Sequence, residues 1–248
     1  NGDAVWVTWT KNGVTQPVIN AEWKYNSGND TYWEVSLGSF AKGDVIEYYV
    51  HADQYQQNAK QVGPFSFIVT DWDAVNNVTS VTNHTNRVEL ACTSTAGLTT
   101  PKISISFPDS GYFRMQFEPF TAPTWATGST NYTVDQSNPN YVWIYGPSVS
   151  LKINKAPYHM EVYDGDGNLL TKESDRSGYR SLAFKTNGTN YVNQVEENLF
   201  ATSSESFTGF GMRYDAINQR GKNVDIYAVN WYLEQENKTY LPIPFYFS

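Results

Sequence analysis

The stretch TGFGMRYDAINQRGKNVDIY, Thr208 to Tyr227, concentrates side chains that could do chemistry: two arginines, two aspartates and three aromatic residues in twenty positions. Its Asp215, together with Glu234 and Glu236 further along the chain, is the strongest candidate cluster of carboxylates for glycoside chemistry. Retaining glycoside hydrolysis needs two such groups about 5–5.5 Å apart on one sugar. The same residues are also typical of a solvated loop edge, and no recognisable catalytic motif surrounds them. We therefore assign no catalytic residue.

Tryptophan side chains could instead bind carbohydrate, because the C–H faces of a pyranose stack on aromatic rings. Four of them fall within the first 33 residues: Trp6, Trp9, Trp23 and Trp33. Strand alternation puts Trp6 and Trp9 on opposite faces, so at least one of this pair should belong to a core. A sugar-binding face and a purely structural role both remain open for this part of the chain.

Metal and cofactor sites are not expected. DGDGN, Asp164 to Asn168, resembles the start of a calcium loop, but the sixth position is Leu169 where an EF-hand requires glycine. Asp-Gly between strands is a hairpin signal, so we predict a turn. The three histidines are far apart in sequence, and the single cysteine, Cys92, rules out an intrachain disulfide or a cysteine zinc cluster.

The composition narrows the choice of partner. The formal net charge is −8, the isoelectric point is near 4.9, and no Lys/Arg-rich run occurs, so nucleic acid and anionic membrane are poor partners. Apolar runs are far short of the ~18 residues of a membrane span. Charged residues are 17% and aromatic residues 16% of the chain. This balance suits either a secreted protein that meets carbohydrate or an ordinary β-rich domain.

Apolar residues recur mostly at a spacing of two, which predicts strands rather than helices. About six short strands precede residue 72, with an Asn-Gly hairpin turn at residues 12–13. We predict an immunoglobulin/fibronectin III-like sandwich over residues 1–72 and a polar bridge at residues 71–86. About a dozen further strands predict a large antiparallel β-supersandwich over residues 73–248.

Two longer patterns resemble a known family. FTGFGMRYDAINQRGKNVDIYAVN followed by YLPIPFYFS resembles the N-terminal β-sandwich of glycoside hydrolase family 31, in which a G-x-G-E-R-[FY] strand, an RGK loop and an IPF strand recur in that order. APYHMEVYDGDGNLL, Ala156 to Leu170, resembles an earlier strand of the same galactose-mutarotase-like domain. The segments WVTWTKNGVTQP and GPFSFIVTDW resemble the first module of secreted bacterial isomaltosyltransferases, the cycloalternan-forming branch of the family.

The resemblance implies retaining transglycosylation on α-gluco-oligosaccharides by a secreted, extracellular bacterial enzyme. In the family both catalytic aspartates lie in a (β/α)₈ barrel after the IPFY strand, so this chain alone should be inactive and should brace the remainder of its own polypeptide. The residues of this chain that could line the substrate pocket are Asn230, Trp231 and Gln235. A stand-alone α-glucan-binding module and a related family 31 α-glucosidase are the alternatives.

One position departs from the family pattern. Met212 stands where the family has glutamate, so an ion pair that uses that position is absent here. For the rest of the stretch we expect a strand, a loop and a strand in a supporting sandwich. The two glycines of GFG, Gly209 and Gly211, should pack a strand closely against its neighbour. The charged side chains expected to fix the loop are Arg213, Asp215, Arg220 and Lys222.

Overall fold

The computed structural model describes residues 4–53, 59–97, 99–120, 131–176, 180–213, 215–228 and 241–248. Within these ranges the chain forms twenty β-strands and no helix, which confirms the all-β prediction. No helix in the described residues could therefore cross a membrane. By Cα proximity the chain forms two compact units, Asn1–Leu199 and Phe200–Ser248.

The first seven strands form a five-stranded sheet and a separate hairpin. They are β1 (Ala4–Lys11), β2 (Val14–Thr15), β3 (Ile19–Asn20), β4 (Glu22–Ser27), β5 (Asp30–Glu34), β6 (Val45–Asp53) and β7 (Lys60–Ile68). The sheet runs β2-β1-β6-β7 with β3 also beside β1, while β4 and β5 pair only with each other. Asn12 and Gly13 both adopt positive φ between β1 and β2, so the predicted Asn-Gly turn is confirmed.

The core of this first sheet is small. Its cluster of buried apolar side chains consists, among the described residues, of Val7, Trp9 and Ile46, and partly buried residues such as Phe40 and Tyr48 pack around them. Val7 and Trp9 are two positions apart on β1, so they lie on the same face of the strand. Alternation in the sequence therefore selects the buried face correctly here.

Eleven further strands build the larger sandwich: β8 (Asp71–Asn83), β9 (Val88–Ser94), β10 (Lys102–Asp109), β11 (Tyr112–Glu118), β12 (Thr133–Asp135), β13 (Tyr141–Tyr145), β14 (Val149–Lys155), β15 (Tyr158–Asp164), β16 (Leu169–Lys172), β17 (Leu182–Thr186) and β18 (Val192–Glu197). One sheet has the order β11-β10-β9-β8-β17-β18, and the other runs β12 to β16 in sequence order. One cluster of buried residues draws on both sheets, including Leu90, Ile105, Ile144, Leu151 and Tyr158.

The polar bridge predicted at residues 71–86 is wrong. Most of it is β8, a strand of thirteen residues that pairs with β9 and, at its start, with β17. Val75 and Val78 are buried in the main core, and Val81 packs against it partly buried. Irregularities in the β8–β9 register, one between Val75 and Asn77 and one between Val78 and Ser80, disturb the alternation along the strand. Asparagine and threonine occupy much of the remaining strand, so the sequence reads as a linker. The division into domains at residue 72 stays a prediction.

The described part of the second unit contains two strands, β19 (Thr208–Gly211) and β20 (Pro242–Phe247), which pair with each other antiparallel. The loop after β19 holds the charged residues Asp215, Arg220 and Lys222. This unit therefore positions the first candidate site.

Candidate functional site

The two glycines of β19 lie against the backbone of β20. In the register, Gly209 pairs with Tyr246 and Gly211 with Pro242. A Cβ atom on Gly209 would lie 2.7 Å from the carbonyl oxygen of Phe245, and one on Gly211 would overlap the carbonyl oxygen of Leu241. Both glycines also have positive φ, which side chains rarely tolerate. The close-packing role predicted for them is confirmed.

Asp215 is the centre of the charged cluster in the loop that follows. Lys222 Nζ lies 2.9 Å from its Oδ2, Gln219 Nε2 donates to its Oδ1 at 3.1 Å, and Arg213 Nε lies 3.5 Å from Oδ1. Burial alone would raise the pKa of Asp215, but the hydrogen bonds from Lys222, Gln219 and the backbone outweigh it and hold the pKa well below its usual range. Asp215 is therefore a permanent carboxylate and not a proton donor.

Further hydrogen bonds tie this loop to the segment that precedes β19. Arg220 Nη1 donates to the carbonyl oxygen of Glu205 at 2.7 Å. The backbone N–H of Gln219 donates to the carbonyl oxygen of Phe207 at 2.8 Å, and the Gln219 side chain is buried. The prediction that the charged residues fix the loop is confirmed. The predicted second strand of the stretch is wrong: residues 222–227 form no strand, because all of them except the half-buried Val224 are exposed, and β19 pairs with β20 instead.

The residues predicted to line a substrate pocket, Asn230, Trp231 and Gln235, lie outside the described residues, as do Glu234 and Glu236. Their assignment stays a prediction. Met212, at the position where the family has glutamate, is half exposed, and its N–H donates to the carbonyl oxygen of Leu241 at 3.2 Å.

The four tryptophans of the first module divide by exposure. Trp9 is buried and donates its indole N–H to the carbonyl oxygen of Pro17 at 3.0 Å, so the expected core member of the Trp6/Trp9 pair is Trp9. Trp6 stacks on His51 with the ring planes 5° apart. Trp23 pairs with Trp33 across the β4–β5 hairpin and is 57% exposed. Trp23 is therefore the member of the four that presents the most surface to a ligand.

The DGDGN segment is a turn, as predicted. It joins β15 to β16, and Asp164 Oδ1 accepts hydrogen bonds from the backbone N–H groups of Asp166 and Asn168 at 3.0 and 2.8 Å. The carboxylate thus organises its own turn. Across the described ranges no group of three or more His, Cys, Asp or Glu side chains is placed to hold a metal ion.

The larger sandwich also contains a buried carboxyl group, that of Glu173, for which no sequence signal was found. Glu173 is 4% exposed; it accepts the N–H of Met160 at 2.7 Å and contacts the hydroxyls of Tyr158 and Ser181, each at 3.3 Å. Burial raises its pKa to about 8, because it outweighs these hydrogen bonds and is reinforced by the negative charge of Glu197. Glu173 lies in the hydrophilic segment TKESD, which gives no sign of burial.

Two family models match this chain. The model described as the glycosyl hydrolase 31 N-terminal galactose mutarotase-like domain matches residues 102–248, which is more than half of the chain. The chain belongs to this family. A second model, described as Lmo2446-like, N-terminal, matches residues 1–33. The galactose-mutarotase-like fold predicted for the second part of the chain is thereby confirmed.

Similar proteins support the same assignment. An isomaltosyltransferase of Sporosarcina globispora is 42% identical over 246 residues, which are 99% of this chain but 22% of that protein. The structure of a cycloalternan-forming enzyme of Listeria monocytogenes, in complex with a pentasaccharide substrate, is 44% identical, with a TM-score of 0.87. The match spans all of this chain and 23% of the length of the Listeria protein. This chain thus corresponds to about a fifth of each of these proteins.

A more distant structure shares the fold alone. A family 31 dextranase of Flavobacterium johnsoniae complexed with glucose matches 70% of this chain and 21% of its own length, with 21% identity and a TM-score of 0.50.

Proposed function

We propose that this chain is the N-terminal, non-catalytic part of a retaining family 31 α-glucan transglycosylase, which transfers isomaltosyl or glucosyl units and forms cycloalternan. The observation that carries the proposal is the 42% identity to an isomaltosyltransferase over 99% of this chain. The chain aligns with only 22% of that enzyme, which leaves most of its length to hold the catalytic machinery.

In this proposal the chain braces a catalytic barrel and lends one loop to the substrate pocket. The loop residues would be Asn230, Trp231 and Gln235: an indole can stack on a pyranose, and amides can both donate to and accept from hydroxyls. Of the carboxylate cluster Asp215, Glu234 and Glu236, the structure describes Asp215. Lys222 and Gln219 bind both of its oxygens, which supports a non-catalytic role for this chain.

We further propose that the parent protein is secreted by a bacterium. The low share of charged residues, 17%, and the high share of aromatic residues, 16%, suit an extracellular protein that meets polysaccharide. Immunodetection in washed cells and in culture medium tests this point, and retention of the protein inside intact cells would contradict it.

The function is tested by comparing the 248-residue chain with the complete gene product on panose and isomalto-oligosaccharides, with products separated by chromatography. We expect no turnover by the chain and a cyclic tetrasaccharide from the complete product. Robust turnover by the chain would overturn its non-catalytic role. Release of free glucose without any transfer product would replace the proposal by the α-glucosidase alternative.

A stand-alone α-glucan-binding module is the second candidate, and the exposure of Trp23 favours it. Calorimetry with soluble α-glucans decides, with Trp23→Ala as the test variant. Val14→Ala is the matched control, because Val14 is 63% exposed on β2 and has no aromatic ring. A heat of binding that is lost in Trp23→Ala and kept in Val14→Ala supports this candidate. The absence of any heat of binding at millimolar sugar would refute it.

A further inference from the structure

A cavity of about 430 Å³ with a mixed polar and apolar lining opens in the larger sandwich, where the start of β8 meets the segment after β16. Its volume falls within the range of small-molecule sites, about 300–1,000 Å³. None of its residues belongs to the stretch 208–227 or to the predicted substrate pocket. The lining residues are Trp72, Asp73, Ala74, Thr95, Asp175, Arg176 and Arg180.

The polar groups of this cavity are held in place by neighbours. Asp175 Oδ1 is hydrogen-bonded to His159 Nε2 at 2.9 Å and to the N–H of Ser181 at 3.0 Å, and its Oδ2 accepts Arg180 Nη1 at 3.1 Å. The other terminal nitrogen of Arg180 donates to Asn76 on β8 at 3.4 Å. A ligand that enters therefore meets a carboxylate and a guanidinium whose conformations are already fixed, which lowers the entropy lost on binding.

Asp73 has acceptor capacity to spare at the wall of the cavity. It is 2% exposed, and its Oδ1 accepts three hydrogen bonds, from the N–H groups of Ala74 and Ala96 and from Thr95 Oγ1, at 2.8–2.9 Å. Its Oδ2 is buried without a hydrogen-bond partner in the part of the chain that the structure describes. A buried carboxylate oxygen without a donor is costly, so a hydroxyl donor at this wall would be stabilising.

Trp72 supplies an aromatic wall. It lies opposite Lys185 in the β8–β17 register, and Lys185 Nζ is 5.1 Å from the centroid of the Trp72 ring. This cation–π contact fixes the indole. An immobilised aromatic ring beside polar groups suits a ligand with an apolar face and a hydroxylated rim.

The charges in the cavity select among ligand classes. Asp73 and Asp175 balance Arg176 and Arg180, so the lining has no formal net charge. Phosphate would favour an excess of positive charge, and a divalent cation would favour several free oxygen ligands. Sugar hydroxyls both donate and accept, so they can use carboxylates and guanidinium groups together.

We propose that this cavity binds one glucosyl unit of a neutral α-gluco-oligosaccharide. The polyhydroxylated class of ligand follows from the cavity. The choice of α-linked glucose rests on the proposed function.

The test is ¹⁹F NMR of the chain labelled with 5-fluorotryptophan, which gives one resonance for each of its eight tryptophans. Trp72→Phe assigns the Trp72 signal, and isomaltose is the titrant. We expect a saturable shift of this signal, with affinity at least ~10-fold weaker in Asp175→Asn and in Arg180→Lys. Trp143, which stacks on Tyr145 outside the cavity, is the internal control and should not respond. The dispersion of the other resonances reports folding in the same sample.

Three results would overturn the inference: no shift of the Trp72 signal at tens of millimolar isomaltose, an equal shift with inorganic phosphate, or a sugar-dependent shift that both variants retain in full. The first is the result expected if water alone satisfies Asp73. Transfer activity of the complete gene product is measured separately. If the complete gene product is active but the Trp72 resonance does not shift, this inference alone is refuted. If the complete gene product is inactive but the Trp72 resonance shifts saturably, the proposed function alone is refuted.

Discussion

Replacing Glu173 by glutamine should raise the free energy of unfolding of the larger sandwich at neutral and alkaline pH and should change it little at acidic pH. Glu173 is 4% exposed, and burial raises its pKa from an ordinary 4.5 to about 8. Its described partners are the N–H of Met160 and the hydroxyls of Tyr158 and Ser181. None of these groups carries a positive charge, so folding favours the protonated acid.

The size of the effect follows from the difference between the pKa of Glu173 in the unfolded and in the folded chain. A carboxyl group whose pKa is raised on folding contributes its full stability below pH 4.5 and loses it as the pH rises through about 8. Each tenfold change in an acid dissociation constant corresponds to about 1.4 kcal/mol, so the whole effect is about 4–5 kcal/mol, of which about 3 kcal/mol is lost by pH 7. Glutamine keeps a carbonyl oxygen for the Met160 N–H and has no proton to lose.

The assay is urea unfolding of wild type and Glu173→Gln from about pH 4.5 to about pH 8.5, followed by the ¹⁹F signal of Trp143 on β13. The free energy of unfolding should be similar in the two proteins at about pH 4.5 and higher in the variant by about 3 kcal/mol at pH 7. Taking the difference between two proteins cancels the titration of groups that do not interact with Glu173, whereas Glu197, whose charge acts on Glu173, contributes to the difference.

Glu161→Gln is the matched control, because Glu161 lies on the neighbouring strand β15 and its pKa moves in the opposite direction. Burial would raise its pKa, but the hydrogen bonds from the Tyr163 hydroxyl and Lys152 outweigh burial and lower it. Its contribution is present at neutral pH and is lost as the pH falls, so this variant should be less stable than wild type at pH 7. A pH-independent difference between Glu173→Gln and wild type would refute the reasoning about Glu173.

Three further predictions concern packing and the loop. Gly211→Ala should cost at least ~2 kcal/mol and separate β19 from β20, whereas Gly221→Ala, with open space around its Cβ, should cost about 1 kcal/mol by thermal unfolding. Asp215→Asn should cost about 1–2 kcal/mol and increase amide exchange of the loop, and unchanged exchange would contradict its fixing role. Cys92, whose pKa burial raises to about 12, should react with a disulfide reagent at pH 8 only after unfolding in urea, and rapid reaction of the native chain would disprove its burial.

The strands were predictable where one face of the strand is apolar and where the adjoining turn contains residues that tolerate positive φ, such as Asn-Gly. Val7 and Trp9 mark the inner face of β1, and the Asn12–Gly13 turn sets the connection to β2. β8 was missed because asparagine and threonine occupy much of the strand and irregular pairing breaks the period-two spacing of its inward-facing valines. The pairing of β8 with β17 joins residues more than a hundred positions apart, and no local pattern encodes it.

The loop around Asp215 was predictable because its partners are close in sequence. Lys222 and Gln219 follow Asp215 within seven positions, so opposite charge and short spacing suggest the ion pair. The cavity beside Trp72 was not predictable for the opposite reason. Asp73 and Asp175 both line it, but they are brought together only when β8 pairs with β17.

A comparison of Asp215 with Glu173 shows why neither carboxyl group can act as a general acid on a glycosidic bond. Both side chains are largely buried, yet their pKa values move in opposite directions, because Lys222 binds Asp215 whereas only neutral groups bind Glu173. A general acid needs a proton to give and access to the glycosidic oxygen. Asp215 does not retain the proton at neutral pH, and Glu173 retains it inside the sandwich, where a sugar cannot reach it. The contacts of both carboxyl groups are therefore explained by folding, and this agrees with the proposal that the catalytic aspartates lie elsewhere in the parent polypeptide.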